Sequence, residues 1–312
     1  KLQQIVETQT FPANFRFENL SYRPAEKLFT FQDQAKELRA LEKEYQPDVV
    51  FTTTGPAYWA PRVPHVVGYN LPHYIYQDSP YFDTISLKKK LFYKSKGWLL
   101  QRFFKREADA YVVQTVDVNR RVREWLNTSN VTTVTNTYGS QYKNSMNGVT
   151  PFLPKPAQQE FRLLLISGFH SHKNIELINE VVELEQFDSS LRFVLTLPEE
   201  KYKQKMTPQA QKYIYNTGFV NPKECPKLFT ECDAVFLPTL LECFSATYAE
   251  AMKMRLPVIT TDLGFAHTVC GSAALYFEPL NAEDALDKII ELKNDRNLYE
   301  QLQNNGDEEI QK

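Results

Sequence analysis

Leu237-Pro238-Thr239-Leu240-Leu241-Glu242-Cys243-Phe244-Ser245-Ala246-Thr247-Tyr248-Ala249-Glu250-Ala251-Met252 reads as a strand end, a short loop and then a helix. The apolar run Asp233 to Phe236 before it fits a buried strand, and Pro257-Val-Ile-Thr-Thr-Asp262 after it fits another. Strand, loop, helix, strand is the unit of a parallel α/β sheet. Ligands of such sheets sit beyond the carboxyl ends of the strands, where helices begin. The N–H groups around Phe244 and Ser245 lie at such a helix start, where they lack intrahelical partners. A diphosphate is a natural occupant of that position.

The two carboxylates of this stretch, Glu242 and Glu250, are eight positions apart. At helical rise that is roughly 12 Å, about the distance from a bound sugar past a diphosphate to a ribose. A carboxylate accepts hydrogen bonds from vicinal hydroxyls. The spacing exceeds that of the paired carboxylates of a hydrolase, roughly 5–9.5 Å. The bland alternative is that Glu242 caps the helix and Glu250 pairs with Lys253 or Arg255. Lys173, at the start of a different helix after a different strand, adds a mobile positive charge at the same sheet edge.

Outward from this stretch, the same alternation recurs. Phe161–Ser167 reads as a strand leading through Gly168-Phe-His-Ser-His-Lys-Asn174 into a helix at 175–184. Strands follow at 192–196 and 215–220, with helices at 199–212, broken by Pro208, and at 222–232. Phe265–Val269 is a short segment, Ala274–Phe277 a strand, and Asn281 caps a helix with Glu283 and Asp284 in its first turn. Leu298–Gln303 reads as a last short helix before an acidic tail. Tyr138–Gln159, with Gly139, Gly148, Pro151, Pro154 and Pro156, reads as a linker. The first half repeats the pattern less clearly. Strands are expected at 2–8, 47–53, 64–70, 110–115 and 131–134, with helices at 29–45 and 117–126. Val118, Val122 and Trp125 are the expected inward face of the second of these. The expected domains are therefore 1–150 and 151–312.

At 312 residues, two cores are more natural than one. Hydrophobic residues at 42% and charged residues at 24% describe a folded protein. A net charge of −2 argues against a global nucleic-acid binder. Cys225, Cys232, Cys243 and Cys270 form no CxxC pair, and reduced, buried thiols in a reducing compartment are expected. No GxxxxGK[ST] or GxGxxG run occurs, against a P-loop enzyme or a standard dinucleotide dehydrogenase. No apolar run is long enough to cross a bilayer.

Two further features bear on function. His73 follows the expected strand 64–70 and faces two readings, a cleft residue or a loop histidine bonded to a backbone carbonyl. Residues 87–110 carry Lys88, Lys89, Lys90, Lys94, Lys96, Arg102, Lys105 and Arg106 among aromatic and aliphatic residues. As a helix, 88–106 is either a surface for an anionic membrane or a phosphorylated, lipid-linked acceptor, or a core helix with a solvated basic side.

The stretch from Glu242 to Glu250 resembles the E-x7-E motif of the retaining glycosyltransferases of family four, the glycosyl transferases group one, which have the GT-B fold. Ala251-Met252, Leu256–Asp262, Gly264 and Ala273–Pro279 resemble the motif's continuation, and the likeness covers about 160–305. The resemblance implies an α/β protein with two Rossmann-like domains whose parallel sheets face a central cleft. The first domain would hold the acceptor and the second a nucleotide sugar. It implies that Glu250 binds the ribose, Glu242 lies by the transferred sugar, Phe244 and Ser245 contact the diphosphate through their backbone, and Lys173 neutralises it. Where the family has an arginine five residues before that lysine, this chain has Gly168, and His170 or His172 would take over its charge. His73 corresponds to a first-domain histidine near the reacting sugar. The expected reaction is retaining transfer from a UDP-, GDP- or ADP-sugar to a hydroxyl in surface polysaccharide or lipid-linked glycan synthesis. No cofactor beyond the donor and no metal are expected, as no DxD motif is present. The expected location is the cytoplasm, peripheral on the inner face of the membrane. Alternatives are an inactive nucleotide-sugar-binding or scaffolding protein, and an epimerase or phosphorylase on the same fold. The family's opening glycine-rich loop and closing crossover helix are not expected within this chain.

Overall fold

In the computed structural model the described residues are 11–22, 24–27, 35–143 and 150–311. The strand expected at 2–8 and the start of the helix expected at 29–45 lie outside them. Two parallel-type sheets organise the chain. The first has the strand order β1 (Val50–Thr52), β2 (His65–Gly68), β3 (Ala110–Val113), β4 (Val131–Thr133), and β1 pairs with β2 in parallel. Its helices are α1 (Lys36–Tyr45), α2 (Pro72–Ile75), α3 (Leu87–Glu107) and α4 (Val116–Leu126). By compactness the chain divides into two units, residues 1–69 with 99–111 and residues 70–98 with 112–312.

In the first unit, His65 is the polar centre. Its ring nitrogens lie 2.9 Å from the Thr52 hydroxyl and 2.6 Å from the Glu107 carbonyl, and its N–H donates to Asp109. Gly68 is required by close packing, because a Cβ there would stand 2.1 Å from the Thr53 carbonyl oxygen.

The second unit holds the six-stranded sheet, order β10-β9-β8-β5-β6-β7, with every pairing parallel. Its strands are β5 (Phe161–Leu165), β6 (Leu191–Leu195), β7 (Ile214–Asn216), β8 (Ala234–Leu237), β9 (Val258–Thr261) and β10 (Ala274–Phe277). β5, β8 and β9 are buried at every position. A parallel sheet covered on both faces buries its strands along their whole length rather than in alternation, and the polar residues among them, Arg162, Thr260 and Thr261, are hydrogen-bonded there. The covering helices are α5 (Leu177–Glu183), α6 (Glu199–Lys205), α7 (Pro208–Gln211), α8 (Cys225–Phe229), α9 (Ala246–Lys253), α10 (Gly264–Cys270), α11 (Ala282–Asn294) and α12 (Arg296–Glu309).

Asn281 caps α11 as expected, its side chain accepting from the Asp284 N–H at 3.0 Å. Asp295 caps α12 in the same way. The final helix is longer than the expected 298–303, because its acidic end continues the helix to Glu309 while Leu302 and Gly306 pack inward. In α4 the buried residues are Val118, Val122 and Leu126, so Leu126 takes the place expected for Trp125. All four cysteines are free thiols and buried.

The decisive feature is the order of the central strands. β8 pairs directly with β5, Leu163 beside Ala234 and Leu164 beside Val235. The loops that leave the carboxyl ends of these two strands are therefore neighbours, although 70 or so residues separate them in sequence.

Candidate active site

After β5 the chain passes Gly168 into a 3₁₀ turn at Ser171–Lys173, closed by Asn174 in the left-handed region at φ 51°. After β8 it runs through Pro238–Phe244 to Ser245, which precedes α9. The two loops are stitched by backbone, the Leu240 N–H donating to the His172 carbonyl at 2.8 Å. They are closed by charge, since Lys173 Nζ pairs with Glu242 Oε1. The Lys173 side chain is 18% exposed and that of Glu242 10%, so the pair is largely withdrawn from water. The buried Thr239 hydroxyl donates to the same Glu242 oxygen at 3.0 Å. Glu242 is thus held by two donors rather than capping the helix.

Helix α9 starts at Ala246, so Glu242 stands in extended loop and Glu250 is little more than one turn into the helix. The helical rise expected between the two glutamates does not apply. Ser245 makes no side-chain cap. The N–H groups of Ala246 and Thr247 are first-turn donors without intrahelical acceptors, and Tyr248 N–H turns back to the Ser245 carbonyl. Tyr248, fully buried, shares a 2.9 Å hydrogen bond with Thr260 that locks α9 onto β9.

Glu250 does not form the surface ion pair of the bland reading. Arg255 pairs with Asp307, and Lys253 lies over the Tyr138 ring at 5.4 Å. Instead Glu250 lies on the half-buried side of α9, near Tyr142. Burial pushes its carboxyl above the usual range, and the Tyr142 hydroxyl works in the opposite direction.

His73, in α2, meets the His172 ring edge-on at 5.4 Å and stacks on Tyr93 at 4.9 Å. Tyr81, also against His73, lies 3.1 Å from the Ser171 hydroxyl through its own. Ser79 donates to the Leu240 carbonyl at 2.6 Å. The 70–86 segment therefore rests on both loops. His170 stacks on His172 at 5.5 Å. Burial, then Lys89, Lys96 and His170, lowers the His73 pKa to about 4. Burial, then Lys173, His73 and His170, lowers that of His172 to about 3. The charge of this corner is therefore carried by its lysines, because the lowered His73 and His172 imidazoles are neutral near pH 7, and His172 does not supply the charge expected of it in place of the missing arginine.

The structure thus brings together Lys173, Glu242 and His73's partner His172, with Phe244, Ser245 and Glu250 following on one short segment. Gly168 is exposed, and a Cβ there would meet only the His170 ring at 3.7 Å and 3.9 Å. Thr239 and Ser171 carry no motif of their own, and only the strand order reveals them. Among the described residues no group of three or more His, Cys, Asp and Glu is arranged to hold a metal ion.

Residues 153–309 match the model of the family described as glycosyl transferases group 1, slightly more than half of the chain. The chain belongs to that family. It is a glycosyltransferase, and its two α/β sheets are those of the GT-B fold. Among solved structures this glycosyltransferase is similar to sucrose-phosphate synthase from Thermosynechococcus elongatus, with a TM-score of 0.69, 16% identity, and 94% of this chain and 76% of that one covered. It is also similar to HepE of Anabaena in complex with UDP and glucose, with a TM-score of 0.65, 15% identity, and coverage of 89% and 78%. TarM of S. aureus, in a complex that includes UDP, matches with a TM-score of 0.66, 17% identity and 90% of this chain. The glycosyltransferase spans only 56% of that TarM chain. No curated protein matches the chain.

Proposed function

We propose that the chain is a retaining glycosyltransferase that moves a sugar from a nucleotide diphosphate sugar, with uridine, guanosine or adenosine as the nucleoside, to a hydroxyl of an acceptor. The observation that carries this reading is the Lys173–Glu242 pair, which joins the loops after β5 and β8 beside the start of α9. In the reaction the bond from the anomeric carbon to the diphosphate breaks and a bond from that carbon to the acceptor oxygen forms. The acceptor proton leaves with the diphosphate. Lys173 and the Ala246 and Thr247 N–H groups meet the growing charge on the diphosphate, where fixed donors in a dry site are most effective. Glu242 holds sugar hydroxyls, Glu250 holds the ribose, Phe244 and Ser245 line the diphosphate, and His73 stands by the reacting sugar. Gly168 leaves room beside the diphosphate. Complexes of two similar proteins contain UDP, which supports uridine first.

The test is a calorimetric screen of UDP, GDP and ADP and their common sugars against the chain and its Glu250→Ala variant. Tight binding of one nucleotide, weakened at least tenfold in the variant, is expected. Binding of none, or equal binding by the variant, overturns the reading. Product analysis with and without acceptor separates transfer from epimerisation, phosphorolysis and mere binding.

We further propose that α3 contacts an anionic membrane, placing the protein at the cytoplasmic face in surface polysaccharide or lipid-linked glycan synthesis. Leu87, Leu91, Phe92 and Trp98 are all more than half exposed, and residues 84–106 contain no acidic side chain. Exposed apolar residues among lysines suit a lipid headgroup boundary. Vesicles with 30% anionic lipid should retain the protein and release the variant with Lys88, Lys89 and Lys90 changed to Glu. Equal retention removes the proposal. We also propose that the acceptor domain spans 1–150 and the donor domain 151–312, the linker at 138–159 joining the two sheets.

A further inference from the structure

We infer that Arg121 is a positioning residue of the proposed active site, its guanidinium fork holding the segment that carries His73 in register with the loops after β5 and β8. The inference rests on the transfer reading above and extends it to α4, a helix that carries none of the residues assigned to the site so far.

Helix α4 touches the site from two directions. Its buried N-cap residue, Thr115, donates to the Cys243 carbonyl at 3.4 Å, between Glu242 and Phe244. Further along, Arg121 grips the chain just after α2. Its two terminal nitrogens donate to the two Asp78 oxygens at 2.7 Å and 2.9 Å, and one of them also reaches the Ile75 carbonyl at 3.2 Å. Its Nε donates to Asp117, one turn back on α4, at 3.3 Å. The guanidinium lies over the Tyr76 ring at 4.2 Å, and the Tyr76 hydroxyl donates to the same Asp117 oxygen at 2.7 Å. The Arg121 and Asp117 side chains are only 18% and 12% exposed. A forked and stacked guanidinium fixes direction as well as distance, which a lysine does not. The cluster is backed by α10, where Phe265 stands edge-on to Tyr76 at 6.1 Å and a Cβ on Gly264 would stand 3.3 Å from the Asp117 carboxylate.

The stretch held in this way, 75–78, has a site contact on each flank. Before it, His73 meets the His172 ring at 5.4 Å and stacks on Tyr93 at 4.9 Å. After it, Ser79 bonds the Leu240 carbonyl at 2.6 Å and Tyr81 the Ser171 hydroxyl at 3.1 Å. α2 itself is a single turn without a side-chain cap, and one turn does not hold its own direction in water. The direction of His73 is therefore imposed from outside, and Arg121 is the side chain that imposes it from α4, the helix whose N-cap already rests on the loop after β8.

Arg121→Lys keeps the charge and loses the fork, and Arg121→Met loses both while keeping a stem over Tyr76. Proton NMR on the full chain follows the histidine rings through a pH titration, the His73 signal being assigned by its loss in His73→Gln. His73 should titrate about one pH unit higher in both variants, because a loosened segment readmits water to the ring. The signals of His65, in the first sheet, should stay in place. Initial rates with UDP-, GDP- and ADP-glucose should show kcat about tenfold lower in both variants with KM within about twofold, since the donor contacts are untouched and only the placing of His73 is lost. A His73 signal that does not move, or moves no more than that of His65, overturns the inference, and so does full activity in Arg121→Lys. Asp78→Asn cuts the same fork at a carboxylate that is 66% exposed, and supplies the comparison where the Arg121 variants do not fold. If the unaltered chain turns over none of the three sugars, the transfer reading fails, and the titration still decides whether Arg121 places His73.

Discussion

Lys173 and Glu242 form an ion pair across 69 positions of sequence, each standing on a different strand-to-helix connection. Their meeting follows from the direct pairing of β5 with β8, which sets the two loops side by side. In the proposed reaction this pair is the cation that meets the departing diphosphate and the carboxylate that meets the sugar hydroxyls.

Replacing Lys173 by Ala is expected to reduce turnover by about 10²–10³-fold, the usual cost of losing one fixed donor to a developing oxyanion. It also strands Glu242 in a dry loop, which costs about 3 kcal/mol of stability. The double variant Lys173→Met with Glu242→Gln should recover much of the stability and none of the turnover. Urea unfolding and steady-state kinetics on the three proteins read the two effects separately.

Thr239→Val keeps the shape of a residue that is 1% exposed and removes the donor to Glu242. About 1–2 kcal/mol of stability should be lost, because the carboxylate keeps its burial and loses a partner. An unfolding midpoint equal to that of the unaltered chain would mean that Lys173 alone holds Glu242.

The His73 imidazole, lowered to about 4 by burial and then by Lys89, Lys96 and His170, is neutral in the folded chain at pH 6. Unfolding restores an ordinary histidine near 6.5, which binds the proton more readily. The unfolded state therefore takes up protons between about pH 6.5 and 4, and stability falls as the pH is lowered through that window. His73→Gln removes this contribution. The drop in melting temperature between pH 7 and pH 4.5 should be smaller in the variant, carboxylates elsewhere contributing equally to both.

Gly168→Arg tests the proposed diphosphate position. Only the His170 ring comes near a Cβ at this exposed site, at ordinary contact distance. The variant should fold with an unchanged melting temperature and bind inorganic pyrophosphate about fivefold more tightly, since one added cation near an anion contributes about 1 kcal/mol at this exposure. Unchanged affinity would show that His170 and Lys173 already satisfy the anion.

Much of the second sheet was legible in the chain. Strands buried on both faces are mostly apolar along their length, so β5, β8 and β9 stand out without any partner being known, Arg162, Thr260 and Thr261 notwithstanding. The Asn281 cap and the break at Pro208 are local chemistry and read directly. The helix boundaries that went astray did so for tertiary reasons. α12 continues through an acidic, glycine-containing end because Leu302 and Gly306 have a surface to pack on. The helix expected to carry both glutamates starts only at Ala246, and Glu242 is held in the preceding loop by Thr239 and Lys173, the latter 69 positions away in sequence.

Spacing along the chain is a local property, so the sequence set Glu242, Phe244, Ser245 and Glu250 on one segment and Lys173 on another. Only the tertiary structure decided which of those residues meet. The strand order put β5 beside β8 and so joined Lys173 to Glu242. The 70–86 segment brought His73 to His172. Such contacts depend on long-range strand pairing and on which loop each sheet edge leaves nearest, and no local pattern of residues encodes either.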